Sequence, residues 1–223
     1  MTILDNVESI RETIQQAKRT SRYIENPQIL VVTKQQVFED ISQLYTLGFR
    51  SFAENRVDAI LKRQEEFPQE DIEWHLIGTL QTRKVKDIID KIDYFHALDR
   101  QSLIDEIDKR ATKCVKCFLQ VNAFHEASKH GFYLDEIENI LDYLHDKKHI
   151  LVVGLMVMAP FDADCAVIKR VFQQVKELQL SIKNRCIPYA PCAFLSMGMS
   201  NDYKEAVEMG ATHLRIGSAF FKN

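Results

Sequence analysis

Short apolar runs alternate with segments of helical periodicity along the whole chain, and this alternation restricts the fold more than any other feature. The runs cover residues 28–34, 50–53, 73–77, 94–98, 115–121 and 150–157, a weaker one ending near Leu195-Ser196, and 213–217. Between them, residues such as Val37, Ile41, Leu44 and Leu47, or Val167, Val171, Val175 and Leu178, recur at helical spacing. Leu4, Val7, Ile10, Ile14 and Ala17 mark a further helix ahead of the first run. Strands separated by helices pair in parallel, because a parallel neighbour is reached only through a long crossover. A set of eight such units closes into a barrel. The expected fold is therefore α/β: a (β/α)8 TIM barrel over residues 1–223, with an additional N-terminal helix and no second domain. An open doubly wound sheet is the runner-up, disfavoured because no G-x-G-x-x-G follows the first run.

Composition narrows the function classes. A formal charge of −3, from 29 basic and 32 acidic residues well mixed, offers no bulk attraction to nucleic acid or anionic membrane. No apolar run reaches the ~18 residues of a membrane helix, and the acidic N-terminus does not read as a secretory signal. The cysteines (Cys114, Cys117, Cys165, Cys186, Cys192) are odd in number and scattered, which suits a reducing, cytoplasmic setting. Cys114 and Cys117 form a lone C-x-x-C at the start of a strand, without the second pair a zinc site needs. The helix faces mix charges without an apolar patch, so a monomer is expected.

In a barrel of this kind, chemistry sits at the C-terminal ends of the strands. Lys34 closes the first run, and an amine at the end of a buried strand is the usual source of a Schiff base. The bland alternative is a strand-end lysine that snorkels to solvent. Glu54-Asn55 follows the second run and Asn122 the fifth, while Met156 and Met158 end the sixth. Alternation turns His75 and Arg215 inward, opposite Trp74-Leu76 and Leu214-Ile216. Ser196-Met197-Gly198-Met199-Ser200 and Gly217-Ser218 occupy the positions of the usual phosphate site, with glycines for close approach and, at the first, a helix N-terminus. A phosphate cradle facing a lysine points to a ligand carrying both a phosphate and an aldehyde, and pyridoxal 5′-phosphate carries both.

An ordered set of motifs across essentially the whole chain then resembles the pyridoxal-phosphate homeostasis proteins, single-domain barrels similar to the N-terminal domain of alanine racemase. The motifs are Val31-Val32-Thr33-Lys34, Glu54-Asn55, Trp74-His75-Leu76-Ile77-Gly78-Thr79-Leu80-Gln81 with Lys84, Val121-Asn122, Glu126-Ala127-Ser128-Lys129-His130-Gly131-Phe132, Gly154-Leu155-Met156, Leu195 to Asp202, and Arg215-Ile216-Gly217-Ser218. The resemblance implies that Lys34 forms the Schiff base. It also implies that Ser196, Gly198, Gly217 and Ser218 bind phosphate, that Arg215 lies near the ring or phosphate, and that Asn55, His75 and Met156 line the pocket. It implies a protein that holds and delivers the cofactor to apo-enzyme recipients, with no established turnover.

The chain departs from the family pattern at Ala53, Arg56 and Thr79, where glycine, tyrosine and histidine are frequent. Other readings stay open from the residues alone. A pyridoxal-phosphate-dependent amino-acid racemase would need a second acid/base opposite the lysine, and the tyrosines fall mostly in expected helices and at strand starts, away from the mouth. A sugar-phosphate enzyme with Lys34 as imine former would use the same loops.

Overall fold

A computed structural model describes residues 2–124, 130–160 and 162–222. Part of one motif above, Glu126 to Lys129, lies outside the described residues. The strands are β1 (Gln28–Val32), β2 (Ser51–Glu54), β3 (Glu73–Leu76), β4 (Tyr94–Leu98), β5 (Val115–Asn122), β6 (Phe132–Tyr133), β7 (Ile150–Val157), β8 (Phe194–Met199) and β9 (His213–Ile216). All pair in parallel in the order β4-β3-β2-β1-β9-β8-β7-β5, with β6 added to the end of β5, and the β4–β5 pairing closes the ring. The expected eight-stranded barrel is present, with β6 as a two-residue supplement.

The helices are α1 (Ile3–Thr20), α2 (Phe38–Thr46), α3 (Val57–Glu66), α4 (Val85–Ile88), α5 (Gln101–Arg110), α6 (Ile137–Leu144), α7 (Cys165–Asn184) and α8 (Tyr203–Glu208). Their apolar stripes, such as Leu103, Ile104 and Ile107 on α5, face the sheet and build a continuous outer core. The helix after β3 is a single α-turn between two 3-10 segments, which accounts for its weak periodicity.

The leading helix is part of this ring. Thr2 and Asp5 cap it reciprocally, and it buries Val7, Ile10, Ile14 and Ala17. It packs against α8 on one side and α2 on the other, the gap that a helix after β9 would fill. The buried Asn6 side chain donates to the carbonyls of Phe220 and Lys222, each at 2.9 Å, tying α1 to the chain beyond β9. Asn6→Ala orphans a buried carbonyl at this seam. It is expected to cost about 1–3 kcal/mol, read as a fall in the urea midpoint at unchanged m-value.

Candidate active site at the barrel mouth

A chain of polar side chains crosses the inside of the barrel. Arg215 Nη1 donates to Ser196 Oγ at 2.7 Å, and Ser196 Oγ lies 3.0 Å from His96 Nδ1. His96 Nε2 lies 3.0 Å from His75 Nδ1, and His75 Nε2 is 3.5 Å from Glu73 Oε2. Since β4 and β8 are not neighbours, the His96–Ser196 contact must pass through the lumen. His75 and Arg215 thus point inward as alternation requires. In-register parallel neighbours share a face, so Met156, paired with Ser196, points inward too.

The lower lumen is aromatic. His75 stacks on Tyr94 at 4.7 Å, His96 on Phe118 at 4.1 Å, and His213 meets Phe118 edge-on at 5.3 Å. Burial holds His75 and His96 below the usual imidazole range and pushes His213 down to about 3. Glu73, which accepts from Gln28 (2.8 Å) and Ser51 (3.2 Å) and faces His75, is held at about 2. Arg215 is 4 % exposed, and burial draws it down to about 10. It also donates to the Val157 carbonyl at 2.9 Å, and no carboxylate among the described residues reaches ion-pair distance.

The rim is built around two turns. Val31 pairs with Ile216, so the segments leaving β1 and β9 emerge side by side. Ser200 Oγ accepts from the Gly217 and Ala219 amides, each at 3.2 Å, so two N–H groups converge on one oxygen. A Cβ on Gly217 would lie 3.1 Å from the Val32 carbonyl, so the turn runs close over the end of β1. Ser218 is exposed beside it. This donor set suits a phosphate, and the buried guanidinium below suits an acceptor on the same ligand.

Lys34 is on the same rim, but not at the end of a buried strand. β1 stops at Val32, and Lys34 lies exposed in a turn whose next residue, Gln35, has φ +63°. The turn is clasped on both sides. Thr33 Oγ1 donates to the buried Glu54 Oε1 at 2.7 Å, and Arg63, 3.6 Å from that oxygen, donates to the Gln36 carbonyl. The expectation that desolvation activates this lysine is therefore corrected: placement, not burial, distinguishes it. Asn55 is also exposed at the rim.

The first expected phosphate loop also needs correction. β8 continues to Met199, so Ser196, Met197 and Gly198 are strand residues, and Ser196 is fully buried under Arg215. Gly198 (φ +87°) is required for packing, since a Cβ there would lie 2.4 Å from Ala206 Cβ. The following helix starts at Tyr203 and not near Ser200, and Asp202 Oδ1 already accepts the Met199 amide at 2.5 Å. Of that segment, Ser200 is the residue that meets the Gly217–Ala219 turn. Lys84 lines a 520 Å³ cleft with Asp58, Lys86, Asp87 and Lys91. Two tyrosines are near the mouth: Tyr133, whose placement the sequence leaves open, pairs beside Asn122 at the C-terminal end of β5, and Tyr203 opens the helix after β8.

The family described as "Alanine racemase, N-terminal domain" matches residues 6–223. A curated relative from Aquifex aeolicus named "Pyridoxal phosphate homeostasis protein" is 34% identical, over 99% of this chain and 98% of its own length. The chain belongs to this family. Its fold superposes on PipY of Synechococcus elongatus, solved with PLP bound, with a TM-score of 0.85 and 28% identity over 99% of this chain and all of that one. Alanine racemase from Corynebacterium glutamicum matches at TM-score 0.71 and 13% identity, over 95% of this chain and 61% of that one, a likeness of fold alone.

The sequence does not single out His96, His213 or Arg63, which the structure brings to the lumen and the rim: the two histidines sit within apolar runs and Arg63 within a helix. No helix among the described residues is long and apolar enough to cross a membrane. Cys114 is exposed, whereas Cys117 is buried, which pushes its thiol up.

Two outcomes follow from the site's electrostatics. The unfolded chain takes up protons below the ordinary histidine value of 6.5, whereas His75, His96 and His213 stay neutral in the fold. Stability is therefore present above pH 6.5 and lost as pH falls toward the folded values. Each such proton adds a slope of about 1.4 kcal/mol per pH unit, so urea midpoints should drop between pH 7 and 5, before ordinary carboxylates titrate. Thr33→Val removes the donor to Glu54 and should cost about 1–3 kcal/mol, with faster hydrogen exchange at the Gln36 amide, which bonds to Thr33.

Proposed function

We propose that this protein binds pyridoxal 5′-phosphate at the barrel mouth, holds it covalently through Lys34, and keeps it in reserve for apo-enzymes that require it. The observation that carries the reading is the β1–β9 register, which sets the Lys34 turn beside the paired amides of Gly217 and Ala219. The full-length likeness to proteins named for pyridoxal phosphate homeostasis, and to PipY with PLP bound, supports it.

The residues divide the ligand between them. Gly217, Ala219, Ser200 and Ser218 would hold the phosphate. Arg215 would donate from below to the ring edge, with Met156 beside it. Val32 and Ile77 belong to a separate apolar cluster with Leu30 and Ala53, which offers the ring a greasy wall under Lys34. When bound, the cofactor supplies an aldehyde that condenses reversibly with a primary amine. Lys34 Nζ would supply that amine, with the aldehyde oxygen released as water. An exposed lysine on an open rim leaves that bond within reach of water and competing amines, which suits storage and transfer.

Incubation with pyridoxal 5′-phosphate should colour the protein yellow, and borohydride should fix the cofactor at Lys34 in a mass-spectrometric peptide map. Lys34→Ala should fold with an unchanged urea midpoint and retain no cofactor after reduction. A wild-type protein that stays colourless would point to the sugar-phosphate reading. Sustained conversion of L- to D-amino acids above the rate of free cofactor would point to a racemase.

A further inference from the structure

We propose that His75, His96 and Ser196 form a one-way hydrogen-bond chain, faced at its far end by the Glu73 carboxylate, that positions Arg215 from beneath, with both histidines as their Nε2–H tautomers. The polarity of the chain is set at its ends. A guanidinium can only donate, and an ionised carboxylate can only accept. Arg215 donates to Ser196 Oγ, which leaves the Ser196 proton to go to His96 Nδ1. His96 Nε2–H then donates to His75 Nδ1, and His75 Nε2–H faces the Glu73 carboxylate.

The opposite direction fails at both ends. His96 Nδ1–H would join Arg215 in donating to Ser196, whose own proton would then have to find another acceptor in a fully buried site. His75 would turn a bare lone pair toward Glu73 at 3.5 Å. The intervening rings are neutral, since burial depresses both, so each carries one proton and one acceptor. Gln28 and Ser51 fix the Glu73 end by donating to the same carboxylate oxygen.

Arg215 is thereby oriented by four residues on β3, β4 and β8. Its remaining N–H groups are left for the mouth. His75 and His96 are positioning residues: they act on a ligand only through Ser196 and Arg215. The proposal rests on the cofactor reading for what Arg215 meets above, while the chain below it stands without a ligand.

Long-range ¹⁵N–¹H imidazole spectra of the unliganded, ¹⁵N-labelled protein at neutral pH test the chain directly. His75 and His96 should each show a protonated Nε2 and a bare Nδ1. A protonated Nδ1, or an imidazolium, on either ring overturns the proposal. Pyridoxal 5′-phosphate titration of Ser196→Ala and His96→Phe tests the coupling. Each should weaken binding about 10-fold and the double variant no further, because contacting residues in one network are non-additive. Losses that multiply in the double variant overturn the positioning role. A wild type that takes up no pyridoxal 5′-phosphate would sink the cofactor reading, and the imidazole spectra would still decide the chain.

Discussion

A guanidinium buried inside a closed barrel constrains much of the rest of this molecule. Taking a charge out of water costs several kcal/mol unless hydrogen bonds and field compensate. Arg215 donates to a hydroxyl and a carbonyl, and burial still holds its pKa below the usual range. Ser196 supplies one of those acceptors. The lumen, where a TIM barrel usually stacks aliphatic side chains, holds histidines, a tyrosine and a carboxylate on the β3–β4 side. Among the described residues Asp202 offsets the charge only through its field, without reaching ion-pair distance, and a ligand acceptor at the mouth would complete the compensation.

The lumen is divided. Leu30, Val32, Ala53 and Ile77 make an apolar patch beneath the β1–β3 rim, while Ser196, His96 and Arg215 make a polar one across it. A flat aromatic ligand with a polar edge meets both requirements at once: its face removes apolar surface from water, and its edge satisfies the guanidinium. The outer layer is the reverse, a continuous apolar core between strands and helices, interrupted at β2 by Glu54 and Arg63. Those two residues are on the face away from the lumen, yet they reach the rim through Thr33 and Gln36. The rim lysine is thus held from outside the barrel, and the guanidinium from inside it.

Much of the fold was legible because period and spacing are local properties. The strand runs, the parallel pairing they imply and the inward direction of His75 and Arg215 follow from alternation. What was not legible depends on closure. Only the ring shows that α1 occupies the place of an eighth helix, because that place is defined by β9 meeting β1. Ser196 looked like a loop residue because Gly198 breaks the strand pattern; its positive φ serves packing against Ala206 within a continuing strand. His96 was invisible as a site residue, since Tyr94-Phe95-His96-Ala97-Leu98 reads as plain core until His75 and Ser196 are brought to either side of it.

The exposure of Lys34 changes the argument about what such a site is for. A buried amine would trade hydration for reactivity and would suit a catalyst that must exclude water through its cycle. Here the turn itself is exposed, and the order lies just beneath it: Thr33 on Glu54, Gln36 on Arg63, Gly217 on Val32. On the reading proposed above, such an ordered turn would keep the lysine's backbone near the Gly217–Ala219 amides, which raises the effective concentration of the reacting groups, while leaving the bond it forms open to exchange. Tight positioning of the turn with an open rim would favour reversible capture, in keeping with the storage role proposed above.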